Sequence, residues 1–431
     1  MTASEPASEP LTARGERATP PAGQRAHPRY KNPVQVLIRH RNFRIFWFGQ
    51  TGSVIGTWMQ SVGRGWLALQ ITNSPFMVGF VSAAGTLPVL LLTLYAGVVA
   101  DRHEKLRVVR ITQSLLLVEA AFLWWFLWSG HMTIVWLVLI SLLGGTFNAF
   151  DIPARQALMI ELVGREDLVD AIALNSSGFN LARIIGPSIA ALVIAKFGLA
   201  WCFALNALSY LLVLLSLFRI RLPEWVRAAD IGSPMEGLLE GLRYMFRTRE
   251  VTLLMSLVAV YSIFGIPYLV LMPVIARDTL HSGAGGYGLL LAAVGLGAVV
   301  GAVSLAMAGR SLRRGRLLSL ATFSFSLCLV AFSLSRSLWL SALLLVLVGL
   351  TMILNNALAN GLLQTIAPDA LRGRVMSAYA FVFVGMGPIG ALLSGTIADL
   401  IGAPAAIATG AVVLMLFAGW LFGKRSELRM L

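Results

Sequence analysis

The sequence predicts an all-α integral membrane protein with twelve transmembrane helices in two six-helix bundles. The observations behind this prediction are an apolar composition, long apolar runs between short polar breaks, and a one-sided distribution of basic residues. Hydrophobic residues make up 57% of the 431 residues and charged residues only 13%, about half the ~25% of a typical soluble domain. One spanning helix needs about 20 apolar residues. The composition therefore allows about twelve spans and excludes a disordered or disulfide-stapled chain.

Long apolar runs begin near Phe43 and continue almost to the carboxyl end of the chain. Each run is too long for a β-strand, and in lipid a single segment pairs all of its own backbone amides only as a helix. The predicted spans are residues 44–70, 75–100, 107–129, 132–151, 171–196, 199–219, 251–276, 285–308, 316–335, 338–364, 375–400 and 403–423.

Polar segments divide the predicted spans into domains. We expect a flexible N-terminal tail (1–40), a first bundle (41–219), a linker (220–248), a second bundle (249–424) and a short C-terminal tail (425–431). Gly186-Pro187 in the fifth span is matched by Gly387-Pro388 in the eleventh, 201 residues later. This spacing predicts that the bundles are parallel repeats, an arrangement that places a transport pathway between the halves near the midplane.

The basic residues predict the orientation of the chain. Nearly all of the 34 Lys and Arg residues lie in the tails and in the breaks on one side, whereas the other side has only Lys196, Arg277 and Arg336. Cytoplasmic loops are rich in Lys and Arg, so we expect both termini in the cytoplasm and a multi-pass protein in the lipid bilayer of a bacterial inner membrane. Because these residues are dispersed, nucleic acid is not an expected partner.

A motif follows the second predicted span, where Gly97 is separated by three residues from Asp101-Arg102, and Lys105 and Arg107 come next. With this motif the sequence resembles the major facilitator superfamily. The stretch 150–157 and the segment 178–187 resemble the exporter branch that contains enterobactin and macrolide efflux proteins. The resemblance implies a major facilitator fold and a proton-coupled antiporter that exports a small amphiphilic solute, drug- or siderophore-like, by alternating access. It implies a monomer without a cofactor or metal, and not an enzyme.

The resemblance also implies a cytoplasmic gate that holds the outward-facing state. Its expected members are Gly97, Asp101, Arg102, Lys105, Arg107, Asp151 and Arg155. The glycine permits close helix approach, and the basic residues can pair with an acid at the end of the fourth span, for which Asp151 is the natural candidate. Asp151 and Arg155 are also an i,i+4 pair. The alternative is a solvated charge cluster that marks topology and contributes little energy.

Three charged residues lie in the interior of predicted spans rather than near their ends, namely Arg64, Glu119 and Arg183. A charge at the bilayer centre costs about 2.5–3.5 kcal/mol on insertion scales, so such residues pair, face a wet cavity or titrate. If protons drive transport, Glu119 is the first candidate carrier, with the two arginines as its switching partners. The alternative is a fixed ion pair of Glu119 with Arg183 or Arg64.

Other polar residues in the spans predict a cavity and a helix bend. The expected lining residues are Asn148, Asn175, Asn180, Asn355, Asn356, Tyr261 and Tyr268. Hydrogen bonds between helices are the alternative role for the asparagines. Gly186-Pro187 indicates either a bend that helps the halves rock or an ordinary kinked packing helix.

Other functions are weighed against export. The same branch also resembles lysophospholipid transporters. A non-transporting membrane sensor would need a cytoplasmic output domain, and the predicted loops are too short for one. A polytopic enzyme would need a cluster of catalytic groups at one membrane face, and the sequence shows no such cluster. A phosphate-binding loop with the Gly-x-x-x-x-Gly-Lys-Ser/Thr spacing is also missing, which disfavours ATP-driven transport by this chain alone.

Overall fold

The computed structural model describes residues 33–222, 234–307, 313–368 and 371–424, and all regular elements within these ranges are helical. Most of the predicted N-terminal tail, the middle of the linker and the predicted C-terminal tail (425–431) lie outside the described residues.

The described part of the first half consists of seven α-helices. They are α1 (Pro33–Arg39), α2 (Arg41–Thr72), α3 (Pro75–Arg102), α4 (Lys105–Trp128), α5 (Ile134–Val163), α6 (Leu168–Phe197) and α7 (Ala200–Arg219). Short breaks separate these helices because the sequence supplies caps. The hydroxyl of Ser74 accepts a hydrogen bond from the Met77 amide, and Thr133 does the same for Trp136. Gly164 and Gly198 follow helix ends with positive φ angles, a conformation that favours glycine.

Nine α-helices make up the described residues of the second half. They are α8 (Pro234–Arg247), α9 (Arg249–Val260), α10 (Tyr268–Val274), α11 (Gly283–Met307), α12 (Arg314–Leu334), α13 (Leu338–Ile366), α14 (Arg372–Gly385), α15 (Gly387–Ile401) and α16 (Ala403–Lys424). The π-helical turn Tyr261–Gly265 joins α9 to α10, and a second one, Ile275–Thr279, extends α10 to the end of the same span. Likewise α14 and α15 form one span that is interrupted at Met386.

Eleven helical segments of the described chain are long and apolar enough to cross a membrane. The remaining long helix, α2, has 32 residues and a more polar sequence. Together they match the twelve predicted spans, so the prediction of an all-helical, multi-pass membrane protein is confirmed. Large apolar side chains such as Leu91, Trp128 and Leu416 are more than half exposed. A lipid environment explains these side chains, because water would penalise such continuous apolar surface.

The fourth span is longer than the sequence predicted. The expected end was residue 151, but α5 continues to Val163, and Pro153 lies inside the helix without ending it. Asp151 is therefore inside a spanning helix, with its side chain only 1% exposed. The segment after residue 151 contains Arg155, Gln156 and Glu161, so the hydropathy falls before the helix ends.

The two Gly-Pro positions differ in structure. α6 is one uninterrupted helix through Pro187, and Gly186 packs closely on α2, where an added Cβ would lie 2.9 Å from the Ile55 carbonyl oxygen. In the second half, by contrast, the chain breaks at Met386 and α15 begins with Gly387-Pro388. The repeat is thus retained in sequence and in span order but not in local helix geometry.

The halves meet along two helix pairs, α3 with α15 and α6 with α11. We call the face that holds the breaks at residues 73–74 and 402 the loop side, and the face that holds α1 and the end of α16 the terminal side. At the loop side Ser74 donates to Asp399 over 2.9 Å, and Arg277 donates to the Asn73 side-chain oxygen over 2.8 Å. Further contacts between the halves reach the middle of the helices, where Gly385 packs on Leu90.

Candidate functional site

A cavity of about 440 Å³ opens among α2, α4, α5, α6 and α7 of the first half. Its lining on α2 runs from Gln50 to Ser61, and on α5 from Asn148 to Met159, so the cavity occupies the terminal half of these helices. The hydrogen bonds between the two halves described above lie at the loop side, and α3 also contacts α8 and α14 of the second half.

The polar wall of the cavity is built around Asp151 on α5. One carboxylate oxygen accepts hydrogen bonds from Thr112 over 2.8 Å and from the Gln113 amide over 2.9 Å. The other oxygen lies 3.4 Å from the Arg155 guanidinium and has no hydrogen-bond partner within the described residues. Asp151, Arg155 and Gln113 all line the cavity. The i,i+4 pairing of Asp151 with Arg155 that the sequence predicted is present in the structure.

The lining also includes aromatic side chains. Trp58 of α2 and Phe179 of α6 pack edge to face, with ring centroids 5.9 Å apart. The guanidinium of Arg183 lies 5.8 Å from the Trp58 ring centroid, in cation–π range. The hydroxyl groups of Tyr210 and Thr57 are 3.2 Å apart and also border the cavity. The site can thus hold a solute that has both polar and apolar surfaces.

Glu119 belongs to a buried network beside the cavity rather than to its lining. It forms an ion pair with Arg64 and accepts a 2.9 Å hydrogen bond from the Gln60 amide. The Gln60 oxygen in turn accepts from Asn206 over 2.7 Å. Gly144 leaves the space for this pair, since a Cβ there would lie 3.2 Å from a Glu119 oxygen and 3.3 Å from Arg64. The network ties α2, α4 and α7 together.

Of the two ion pairs that the sequence allowed for Glu119, the structure contains the one with Arg64. Arg183 instead donates to the sulfur of Met352 on α13 over 3.3 Å. Sequence reasoning did not find Gln60, Asn206 or Gly144. The signal for the first two was available, because both are amides within otherwise apolar runs, but their pairing depends on how three helices pack.

The predicted gate is only partly assembled in this conformation. Lys105 pairs with Glu161 over 3.2 Å, not with Asp151. Asp151 precedes Glu161 by ten residues on α5, so at the usual rise of a helix it lies about 15 Å farther from the terminal end of α5, where Lys105 is. A Cβ at Gly97 would meet nothing within 4 Å, so the expected close approach does not occur here. Asp101, Arg102 and Arg107 are exposed at the terminal side.

The predicted cavity residues separate into two groups. Asn148 and Asn175 line the cavity. The other five are not lining residues. Asn180 donates to the Ser176 carbonyl, Asn355 donates to Thr322 over 2.6 Å, and Asn356 is half-buried on α13. Tyr261 packs on Phe325, and Tyr268 is buried beside Met352. For Asn355 the alternative of a helix–helix hydrogen bond is the correct one, because its amide is buried between α12 and α13. A group of three or more possible metal ligands was not found among the described residues.

Comparisons with known proteins agree with this architecture. The chain is 28% identical to the enterobactin exporter EntS of Shigella flexneri, covering 84% of this chain and 86% of the relative. It is also 28% identical to the multidrug efflux pump Tap of Mycolicibacterium fortuitum, covering 78% and 84%.

In structure the chain resembles a bacterial homologue of the human lysosomal transporter Spinster in its inward-facing and unoccupied conformation. The TM-score is 0.67 with 14% identity, over 92% of this chain and 98% of that one. The family described as "Transmembrane secretion effector" matches residues 35–431. The chain therefore belongs to this family of major facilitator transporters, whose members are not enzymes.

Proposed function

We propose that this protein is a proton-driven exporter that moves a small amphiphilic solute across the bacterial inner membrane by alternating access. The observation that carries the proposal is the cavity of about 440 Å³, which is lined by both polar and aromatic side chains. It lies in the terminal half of the first bundle, while the two halves contact each other at the loop side. In an alternating-access transporter, such an arrangement is the state that receives solute from the terminal side.

The predicted orientation of the chain in the membrane supports the direction of transport. The excess of Lys and Arg on the terminal side supports a cytoplasmic location for both termini. The cavity would then take its solute from the cytoplasm and release it on the far side. The relatives named above, an enterobactin exporter and a multidrug efflux pump, support a siderophore- or drug-like solute.

Two buried carboxylates are candidates for the coupling proton. Glu119 was the sequence-based candidate, but both of its oxygens already accept hydrogen bonds, from Gln60 and Arg64. Asp151 lines the cavity and has one oxygen without a hydrogen-bond donor in the described part of the chain. We therefore assign the exchangeable proton to Asp151, and to the Glu119–Arg64 pair a role in holding the bundle together.

The transport assay uses purified protein in proteoliposomes. A panel of a catecholate siderophore, a macrolide and a lysophospholipid is first screened for thermal stabilisation of the protein. The stabilising compound is then followed across the vesicle membrane with and without an imposed pH gradient. We expect transport to stop when the gradient collapses. Unchanged transport would refute proton coupling, and stabilisation by the lysophospholipid alone would favour a lipid transporter.

Variants of the two acids separate their roles. Asp151→Asn is expected to bind the solute but to lose gradient-driven transport, because the amide cannot release a proton. Glu119→Gln is expected to retain the gradient dependence in protein that is less stable. Glu166→Gln, an exposed acid at the terminal side, is the matched control. If Asp151→Asn stays fully coupled while Glu119→Gln does not, the carrier is Glu119 instead.

A further inference from the structure

We infer that the solute carries an anionic group and that Arg183 binds this group inside the cavity region. The inference rests on the proposed function and narrows its substrate class to amphiphilic anions.

Of the arginines Arg64, Arg155 and Arg183, which lie at or beside the cavity, the first two have a carboxylate partner. Arg64 pairs with Glu119, and Arg155 lies 3.4 Å from Asp151. Arg183 has no carboxylate within ion-pair distance among the described residues; its contacts are the Met352 sulfur at 3.3 Å and the Trp58 ring. A thioether is a weak acceptor, and a guanidinium stays charged at all physiological pH values. Within the described residues, Arg183 is therefore a half-buried cation of a spanning helix without a carboxylate partner, an arrangement that is costly in a membrane.

The position of Arg183 connects it to the cavity. Phe179, which lines the cavity, precedes it by four residues on α6, so the two side chains lie on the same helix face. Trp58, over whose ring the guanidinium lies, is also a lining residue. Arg183 is not itself a lining residue of the cavity. A solute that lies along Trp58 and Phe179 would approach its guanidinium.

Arg183 also lies where the two halves meet. Met352, its sulfur partner, is on α13, and the Tyr268 hydroxyl contacts the same sulfur at 3.9 Å. An anion bound to Arg183 would replace the thioether as the partner of the guanidinium. Because that exchange alters a contact between the halves, solute binding at Arg183 would bias their relative position, which a transporter requires of its solute.

The chemistry of the site defines the ligand class. The planar guanidinium binds carboxylates and similar oxyanions with two parallel hydrogen bonds. The Trp58–Phe179 pair provides an apolar surface for a ring or an alkyl chain. The negative charge of Asp151 is balanced by Arg155. The expected solute is therefore an aromatic or alkyl anion, with the charge at one end.

The test uses two probes of equal shape, 2-naphthoate and 2-naphthamide, which differ in charge. Binding to the purified full-length protein in detergent is measured from the ligand-induced rise of the thermal unfolding temperature across a concentration series. We expect the wild-type protein to prefer naphthoate by about tenfold or more, as a charge-assisted hydrogen bond would give. Arg183→Gln should reduce the preference for naphthoate to within about twofold. Arg183→Lys should show an intermediate preference, because lysine keeps the positive charge but lacks the planar guanidinium that makes two parallel hydrogen bonds.

Controls keep the outcomes distinct. Arg336→Gln removes an arginine at the loop side that donates to the Ser333 carbonyl, and should behave as wild type. Arg183→Met is a second neutral variant in case Arg183→Gln does not fold. If the preference for naphthoate survives in a folded neutral variant, Arg183 is not the anion site. If wild-type protein binds both probes equally, the anion inference fails but the proposed export of an amphiphile stands. If it binds neither at millimolar concentration, the inference fails and so does the cavity as an amphiphile site.

Discussion

At the scale of single residues, the polar groups inside the bundle are held by partners on other helices. Glu119 on α4 pairs with Arg64 and accepts from Gln60, both on α2, and the side chain of this acid is only 1% exposed. Removing one partner of a buried ion pair leaves an uncompensated charge, which costs far more than the pair contributes when it is intact. The Glu119–Arg64 pair is therefore a determinant of stability whether or not Glu119 exchanges a proton.

The first prediction concerns this pair. Glu119→Leu and Arg64→Leu should each lower the free energy of unfolding by about 3 kcal/mol, because each leaves the other charge alone. The double variant should lose less than the sum of the two, since it removes both charges. The measurement is denaturant unfolding in detergent, with Arg336→Leu as the exposed control. Additive losses would show that the two groups do not interact.

At the scale of helices, packing depends on where a helix presents backbone rather than side chain. Gly144 and Gly145 are neighbours on α5 but face different surroundings. A Cβ at Gly145 would lie 3.0 Å from the carbonyl carbon of Gly85 on α3 and 3.2 Å from the Pro88 ring. A Cβ at Gly144 would meet only the ends of two long side chains, Glu119 and Arg64. Backbone atoms cannot move aside as the end of a side chain can. We therefore expect Gly144 to tolerate substitution by alanine better than Gly145 does.

The second prediction follows from this difference. Gly145→Ala should destabilise the protein by about 1–3 kcal/mol through overpacking of α3 on α5. Gly144→Ala should be nearly neutral, because the ~1 kcal/mol by which alanine favours a helix over glycine offsets a small shift of the ion pair. Thermal unfolding of the two variants under the same conditions makes the comparison. Equal effects would mean that the α3–α5 contact is looser than it is in this structure.

At the scale of the whole molecule, the loop side is closed by small residues and polar contacts between the halves. A Cβ at Gly79 on α3 would lie 3.2 Å from the Gly395 Cα on α15. Nearby, Trp66 of the first half stacks on Tyr287 of the second, with centroids 6.2 Å apart. Tyr287 is buried in this state. The closure of the loop side therefore depends on the absence of side chains at the α3–α15 contact.

The third prediction is that Gly79→Leu shifts the protein away from this state. In a background where Cys202 and Cys328 are replaced by Ser, Tyr287→Cys is the reporter for access from the loop side. Gly79→Leu should raise the rate at which a membrane-impermeant maleimide labels this reporter. Gly423→Leu is the control, since a Cβ at Gly423 meets nothing within 4 Å. An unchanged labelling rate would show that the α3–α15 contact does not hold the loop side closed.

The sequence by itself determined the fold class, the spans and the family resemblance, because hydropathy is a local property and a spanning helix must satisfy its own backbone. It also identified the residues to examine, since a charge in an apolar run is visible without coordinates. What only the tertiary structure decided is which charges meet. Arg64 rather than Arg183 reaches Glu119, Asp151 lies inside a helix that continues beyond its apolar run, and Asn355 bonds within the second bundle. These pairings depend on the rotation and depth of neighbouring helices, which a one-dimensional pattern does not encode.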